Sequence, residues 1–301
     1  MKAFVVYNPA AVSRHDWPVI AAALKTVFPR CLTIASPGRG HAARLVRDAL
    51  REGHAEIVVV GGDGIINEAV NGFFEHGLPL SPDAVLSIVP TTQGDTCLGR
   101  VTGVNAALNL ARVDARPRDL GHVSCLTPDG AAVTRFFLGA ASFGITGDIA
   151  RRMNRARLTA MPGARFHRGV SEILALAHWR ACHVRLMADQ GHDEIDGIAA
   201  VGILNAASFG GGLKAAADAN PADGQFDIAI LGGGKRASIR KAMTRLRAGD
   251  DVAMRRWRST RLTAALTLET RRPVLVETDG EAVGMLPASF AVLPNAIRIR
   301  L

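Results

Sequence analysis

The chain has 301 residues, 48% of them hydrophobic and 21% charged, which supports one large or two smaller packed cores and excludes long disordered tracts. Lysine and arginine outnumber aspartate and glutamate, 36 to 27, for a net charge of +9, which fits either a soluble protein whose surface happens to be arginine-rich or a partner that is an anionic ligand, nucleic acid or an anionic membrane surface. Aromatic residues make up only 5%, which argues against base-stacking, and no nucleic-acid partner is expected.

In chain order, "KAFVVYNP" (2–9) reads as a buried strand ended by Asn-Pro, and "DWPVIAAALKTVFP" (16–29) has helical spacing with Asp16 as candidate N-cap. "CLTIAS" (31–36) is a second strand, and "GHAARLVRDALREG" (40–53) an amphipathic helix closed by Gly53. "EIVVVGGDG" (56–64) is a third strand with its loop, "IINEAVNGFFEHG" (65–77) continues as helix, and "AVLSIVP" (84–90) is a fourth strand. This alternation implies a parallel sheet covered by helices on both faces.

Near residue 118 the rhythm changes. "GHVSCLTPDGAAVTRFFLGAASFG" reads as two strands about a Pro-Asp-Gly turn, and short strands follow at 182–189, 196–208, 224–233, 262–284 and 288–301. Basic helical segments at about 148–180 and 236–249 interrupt them. The expected fold is α/β plus β. A three-layer parallel-sheet domain (1–118) precedes a mainly antiparallel β-sandwich or barrel-like domain (119–301).

Cys31, Cys97, Cys125 and Cys182 form no C-x-x-C pair, so a reducing compartment is expected. "MKAFVVYNPA" turns polar too soon for a signal peptide, and the longest uncharged run (197–213) is broken by Asn, Ser and glycines. A cytoplasmic protein with at most peripheral membrane contact is expected.

In an open parallel sheet the carboxyl ends of the strands form the ligand crevice. Asn8, Ser36, Gly38, Gly40 and Gly61–Gly64 should therefore converge on one edge. No Walker A loop is present. "GRGHAA" (38–43) imitates a dinucleotide fingerprint, but the downstream acid Glu56 precedes the next strand rather than ending it. "GGDGIINEAVNG" (61–72) is more specific. Its bland reading is a tight turn with Asp63 capping a helix. Likewise Asp279-Gly280-Glu281 reads locally as a surface β-turn, and "NPADGQFD" (220–227) as a turn entering a strand.

These motifs together resemble the diacylglycerol-kinase catalytic-domain family, which includes sphingosine and ceramide kinases. The resemblance rests on "VVYNPA" (5–10), "SPGRGHAARLV" (36–46), "GGDGIINEAVNG", "GAASFGITGDIA" (139–150), "NAASFGGGLKAAADANPADGQFDIAIL" (205–231) and "VETDGEAVG" (276–284), in the family's order. It implies an ATP-dependent lipid kinase using Mg²⁺. The nucleotide would be bound by Asn8, Ser36, Gly61, Gly62, Asp63, Gly64, Ile65, Asn67, Glu68, Gln93 and Asp95. Glu281 would be the general base, with Asp279 and Asp63 assisting or holding metal. A structural Mg²⁺ would sit at Asn220, Asp223 and Gln225. Two departures stand out. Ile65 replaces the usual threonine, and "PTTQGDTCLGR" (90–100) replaces a Gly-Thr-Gly-Asn-Asp pattern. Both tilt the resemblance toward ceramide or a sphingoid base as acceptor, with diacylglycerol next.

The segments 151–168 and 235–249 are rich in arginine and lysine, the second with Ile239, Met243 and Leu246 at helical spacing. Either they are solvated helices or they dock on anionic lipid at the inner face of the membrane. A soluble-substrate kinase of the NAD kinase kind, and a catalytically inactive basic membrane- or nucleic-acid-binding protein, are the alternative readings. A homodimer is compatible with the sequence.

Overall fold

The computed structural model describes residues 2–91, 102–158, 164–188, 191–209, 212–250, 255–258, 266–270 and 273–301. The chain forms two compact units, Met1–Leu120 with Pro294–Leu301, and Gly121–Leu293.

Unit 1 runs β1 (Ala3–Tyr7), α1 (Asp16–Val27), β2 (Cys31–Ala35), α2 (His41–Arg51), β3 (Glu56–Gly61), α3 (Asp63–Gly72), a small hairpin β4 (Phe74–Glu75) and β5 (Leu78–Pro79), β6 (Val85–Pro90) and α4 (Gly103–Asn109). The strands pair in parallel in the order β2-β1-β3-β6. Every residue of β3 and β6 is buried, which is why their sequences are apolar runs rather than alternations. Ala3, Val5, Val58, Val60 and Val89 face α1 and α4; the alternate strand positions face α2 and α3. The expected three layers are present.

Local details differ from the sequence reading in places. His15, not Asp16, is the N-cap of α1. The Ser13 hydroxyl accepts the Asp16 amide at 3.0 Å and donates to its carboxylate at 2.7 Å, so the serine does the capping. Gly53, at φ +84°, sits just beyond the end of α2. There Gly53 N–H reaches Leu50 O and His54 N–H reaches Ala49 O, the paired bonds of a Schellman ending. The helix expected over 65–77 stops at Gly72, and the β4–β5 hairpin takes its last residues.

β7 (Arg116–Leu126) leads into unit 2. There follow β8 (Ala132–Phe137), β9 (Ala140–Gly144), α5 (Ile145–Leu158), α6 (Ala164–His178), β10 (Cys182–Ala188), β11 (Gly191–Leu204), β12 (Ser208–Phe209), β13 (Leu213–Lys214), β14 (Asp227–Gly232), α7 (Arg236–Ala248), β15 (Arg255–Arg258), β16 (Leu266–Thr270), β17 (Leu275–Thr278) and β18 (Glu281–Arg300). Antiparallel pairing closes a ring, β11-β9-β17-β18-β16-β10 and back to β11. Its interior is filled by Ala141, Phe143, Leu186, Val201, Leu268, Val276 and Phe290. The outer side of β11 and β14 carries Ala199, Ala200, Leu204, Ala229 and Leu231, which pack with residues of α5, α6 and α7. Burial on both faces explains the unbroken "GIAAVGIL" (197–204).

The last residues do not stay with unit 2, to which the sequence reading assigned all of 119–301. Pro294–Leu301 belongs to unit 1. Arg298, Ile299 and Arg300 pair in parallel with Val85, Leu86 and Ser87 of β6. Two buried carboxylates hold this return. Asp119 accepts the Asn295 amide at 2.8 Å. Glu56, fully buried, pairs with Arg300 at 2.9 Å and accepts the Ser87 hydroxyl.

Candidate active site

In unit 1 the chain steps from β1 outward to β2 and then crosses back to β3 on the other side of β1. The order therefore reverses between β1 and β3, and ligands of open α/β sheets bind beyond the carboxyl ends of the strands at such a point. The residues there are Asn8 after β1 and the Gly61–Asp63 turn after β3. Backbone bonds align the whole edge: Ser36 N–H to Tyr7 O (2.8 Å), Asn8 N–H to Val60 O (3.1 Å) and Thr91 N–H to Gly61 O (3.2 Å). Asn8 forms its own turn, its Oδ1 accepting the Ala10 amide at 2.9 Å. Ser36, buried, donates its hydroxyl to Gly38 O at 3.2 Å.

Gly62, in extended conformation, is the N-cap of α3, and Asp63 is its first helical residue. Asp63 is therefore not the cap itself; it stands in the first turn, and Gly64 follows it. The leading N–H groups of a ten-residue helix point out of this loop with the positive end of the helix dipole. Such a terminus takes phosphate. Gly61 is required by close approach. A Cβ there would lie 2.5 Å from Ile65 Cγ2 and 3.5 Å from Asn8 Cβ. Ile65 is 6% exposed, so its methyl fills the space under Gly61. Asn67 is buried, and both its carbonyl and its Oδ1 accept from Asn71 Nδ2. Glu68 points to another helix: its Oε2 accepts the Ala42 amide, in the first turn of α2, at 3.1 Å. Gln93 and Asp95 lie outside the described residues. Glu56 opens β3, at the end of the strand opposite the glycine loop, which removes the support for a dinucleotide-type ribose contact. Burial pushes its carboxyl pKa up, with Ser87 and Arg300 pulling against that.

In unit 2, Asp279-Gly280 is the two-residue turn between β17 and β18, with Thr278 opposite Glu281. Both turn residues have positive φ, +47° and +84°, as a type I′ hairpin requires. The turn is far from bland. The Asp279 carboxylate accepts three backbone amides, from Leu138 (2.9 Å), Gly139 (2.9 Å) and Ala140 (3.0 Å). Its own amide donates to Ala140 O at 2.9 Å. Asn205 joins in, donating Nδ2 to Leu138 O and its amide to Gly139 O. Glu277, 1% exposed, accepts the Ser142 hydroxyl at 2.5 Å and the Gly280 amide at 2.7 Å. Segments 138–142, 205 and 277–281 are thus tied into one frame holding partly exposed Glu281. The sequence reading missed Glu277, Ser142 and Asn205 as site residues. A lone carboxylate inside the apolar "VLVET" was the available signal for Glu277.

The 220–227 turn is organised by its own side chains. Asn220 Oδ1 accepts the Ala222 amide at 3.2 Å and Asp223 Oδ1 accepts the Gln225 amide at 3.0 Å. A cation at Asn220, Asp223 and Gln225 would depend on the remaining oxygens, chiefly backbone carbonyls. Among the described residues no cluster of three or more His, Cys, Asp or Glu is arranged to hold a metal. Nor is any helix among them long and apolar enough to cross a membrane. Ile239, Met243 and Leu246 of α7 are buried, so they are not the interfacial stripe their spacing suggested.

Residues 2–123 match the family described as the diacylglycerol kinase catalytic domain, and residues 139–301 match the YegS C-terminal NAD kinase beta sandwich-like domain. A diacylglycerol kinase of Mycobacterium tuberculosis is 25% identical over 270 residues, which cover 87% of this chain and 82% of the relative. A protein named probable lipid kinase YegS-like, from Alcanivorax borkumensis, is 26% identical over 269 residues, covering 87% and 84%. A crystal structure of a diacylglycerol kinase from Bacillus anthracis aligns with TM-score 0.72 at 20% identity, over 99% of this chain and 96% of that one. Yeast NADH kinase complexed with NADH aligns with TM-score 0.56 at 10% identity, over 99% and 82%; at such identities both bear on the fold alone. By the matches to its two halves, this chain belongs to the diacylglycerol kinase catalytic-domain and YegS family of lipid kinases, phosphotransferases with an alcohol as acceptor.

Proposed function

We propose that this chain transfers the γ-phosphate of ATP to the hydroxyl of a long-chain lipid alcohol, with diacylglycerol the leading acceptor. The observation that carries the nucleotide half is the glycine turn at the β1/β3 switch point, heading straight into α3. Backbone amides of Gly62, Asp63 and Gly64 would bind phosphate oxygens, with Asn8 and Ser36 beside them. Asp63 offers the hard carboxylate oxygen that Mg²⁺ takes, and the ion would supply charge neutralisation on the phosphates. Glu281 accepts the proton of the lipid hydroxyl. The freed oxygen forms a bond to the γ-phosphorus while the bond from that phosphorus to the bridging oxygen breaks, releasing ADP. Asp279 and Glu277 act through the backbone, fixing the turn from which Glu281 projects.

The tilt toward ceramide or a sphingoid base rested on Ile65 and on the altered 90–100 segment with its Asp95 and Cys97. The Ile65 methyl that lies beside Gly61 is Cγ2, which threonine also carries, so packing there does not account for the replacement; diacylglycerol leads because several relatives carry the name diacylglycerol kinase, the others being named probable lipid kinase YegS-like. The test is ³²P transfer from ATP with Mg²⁺ to dispersed diacylglycerol, ceramide, sphingosine and NAD. Diacylglycerol should be labelled first among them, and Glu281→Ala should lower that rate by about 10²–10⁴-fold. Labelling of NAD alone, or full activity in Glu281→Ala, sinks the proposal. A lipid acceptor also implies transient contact with the cytoplasmic face of a membrane.

A further inference from the structure

We infer that Thr278 is a positioning residue for Glu281: its hydroxyl donates to the Glu281 carboxylate and fixes how that carboxylate meets the acceptor's proton. The inference deepens the lipid-kinase reading and rests on it for the role of Glu281, but its geometry lies wholly within unit 2.

Thr278 is the last residue of β17 and 0% exposed, and its Oγ1 is buried with no hydrogen-bond partner among the described residues. Strand alternation says where it points. Glu277 turns to the outer side, where it meets Ser142. Thr278 stands on the other side with Val276, which belongs to the core inside the ring. Its neighbour on β9 is Ala141, and Ala141 pairs in turn with Ile203 of β11. Both are fully buried and apolar, so neither side chain offers Thr278 an acceptor. A hydroxyl buried without one costs free energy that a methyl in its place does not. Valine has the same branched shape and suits a strand as well. The hydroxyl therefore calls for an acceptor that this row of side chains does not supply.

The residue across the turn supplies one. Thr278 and Glu281 are directly opposite on either side of Asp279-Gly280. Residues so paired put their side chains on one face, with Cβ atoms about 4.5–5.5 Å apart. Glu281 is partly exposed, and its side chain has the rotatable bonds to bring a carboxylate oxygen to Oγ1. Hydrogen bonds that serve catalysis are often long before substrate binds and tighten in the complex. A hydroxyl donating to a charged carboxylate makes one of the stronger hydrogen bonds. With one oxygen of Glu281 held by Thr278, the other is left to take the proton. The alcohol gives its proton there, its oxygen bonds the γ-phosphorus, and the bond from that phosphorus to the bridging oxygen breaks to release ADP. Thr278 keeps its own proton throughout. Asp279 and Glu277 fix the backbone of the turn; Thr278 fixes the side chain that projects from it.

The test uses the full chain with ATP, Mg²⁺ and dispersed diacylglycerol, and sets turnover beside melting temperature. Thr278→Val should lower kcat by about 10–10²-fold, with KM for ATP and for diacylglycerol unchanged. It should melt at or above the wild-type temperature, because a methyl replaces an unbonded hydroxyl. Thr278→Ser keeps the hydroxyl and loses a methyl from the core, so it should melt lower yet recover most of kcat. A residue that only packs would order the two variants the other way. In the Glu281→Ala background Thr278→Val should add no further loss, as for residues that act as a unit. Thr278→Val at the wild-type rate, Thr278→Ser as slow as Thr278→Val, or additive losses in the double variant overturns the inference. If Glu281→Ala is slow while Thr278→Val is normal, the positioning role alone falls. If wild type labels no lipid, or Glu281→Ala is fully active, the kinase reading falls and the role of Thr278 with it.

Discussion

Replacing Arg300 with methionine keeps its aliphatic stem and removes the cation facing Glu56. Glu56 is fully buried, and Arg300 is its ion-pair partner at 2.9 Å, with the Ser87 hydroxyl as second contact. A buried carboxylate stripped of its cation costs about 3–5 kcal/mol, a large share of the roughly 5–15 kcal/mol that holds a typical domain folded. Burial already raises the folded-state pKa of Glu56 above its ordinary 4.5, while Ser87 and Arg300 lower it. The folded state therefore holds this proton more tightly than the unfolded one. The stability this contributes is complete below the unfolded pKa and is lost as pH rises through the folded value. Without Arg300 the folded pKa climbs further. Urea denaturation should show Arg300→Met destabilised by about 3–5 kcal/mol at pH 8 and distinctly less at pH 5. Adding Glu56→Gln to Arg300→Met should recover much of the loss at pH 8, with a coupling energy above about 1 kcal/mol. A penalty below about 1 kcal/mol at pH 8, or one equal at both pH values, refutes the argument that the buried charge depends on its partner.

Three further perturbations report on the site. Gly61→Ala drives a methyl to 2.5 Å from Ile65 Cγ2; it should cost about 1–3 kcal/mol and weaken ATP binding measured by calorimetry, and adding Ile65→Ala should restore part of both. Asp279→Ala strands the amides of Leu138, Gly139 and Ala140, so urea melts should fall by on the order of 3 kcal/mol. Asp279→Asn, which keeps one acceptor oxygen, should fall less; equal losses would contradict the clamp. Glu68→Ala removes an acceptor from the first turn of α2 and should lower stability by about 1 kcal/mol, read as a drop in melting temperature.

The sheet of unit 1 was legible because each of its strands is an apolar run or ends in turn residues, and because glycine and aspartate mark where the helices start. The second half was legible as antiparallel β for a similar reason: short apolar runs separated by Asp-Gly and Pro-Asp-Gly. What the sequence did not announce is partnership at long range. Arg300 meets Glu56 from the other end of the chain, and nothing near "RIRL" marks it as part of unit 1. Asp279 reaches back to residues 138–140, so its local pattern reads as an ordinary turn although its carboxylate is a three-way clamp. The helical period of α7 was read correctly, but periodicity cannot say whether an apolar stripe meets a core or a membrane.

The parallel pairing of β18 with β6 also sets an order of events during synthesis. Residues 2–120 are made first, yet their sheet lacks its outermost strand until Arg298–Arg300 arrive. At about 5–20 residues per second, β6 waits on the order of tens of seconds with an open edge, and Glu56 waits that long for its cation. Unit 1 is thus sealed by the residues that leave the ribosome after the whole second unit, and an unsealed parallel edge is a template for unwanted strand pairing. A chain halted before residue 298 would lack both the strand and the charge that close unit 1.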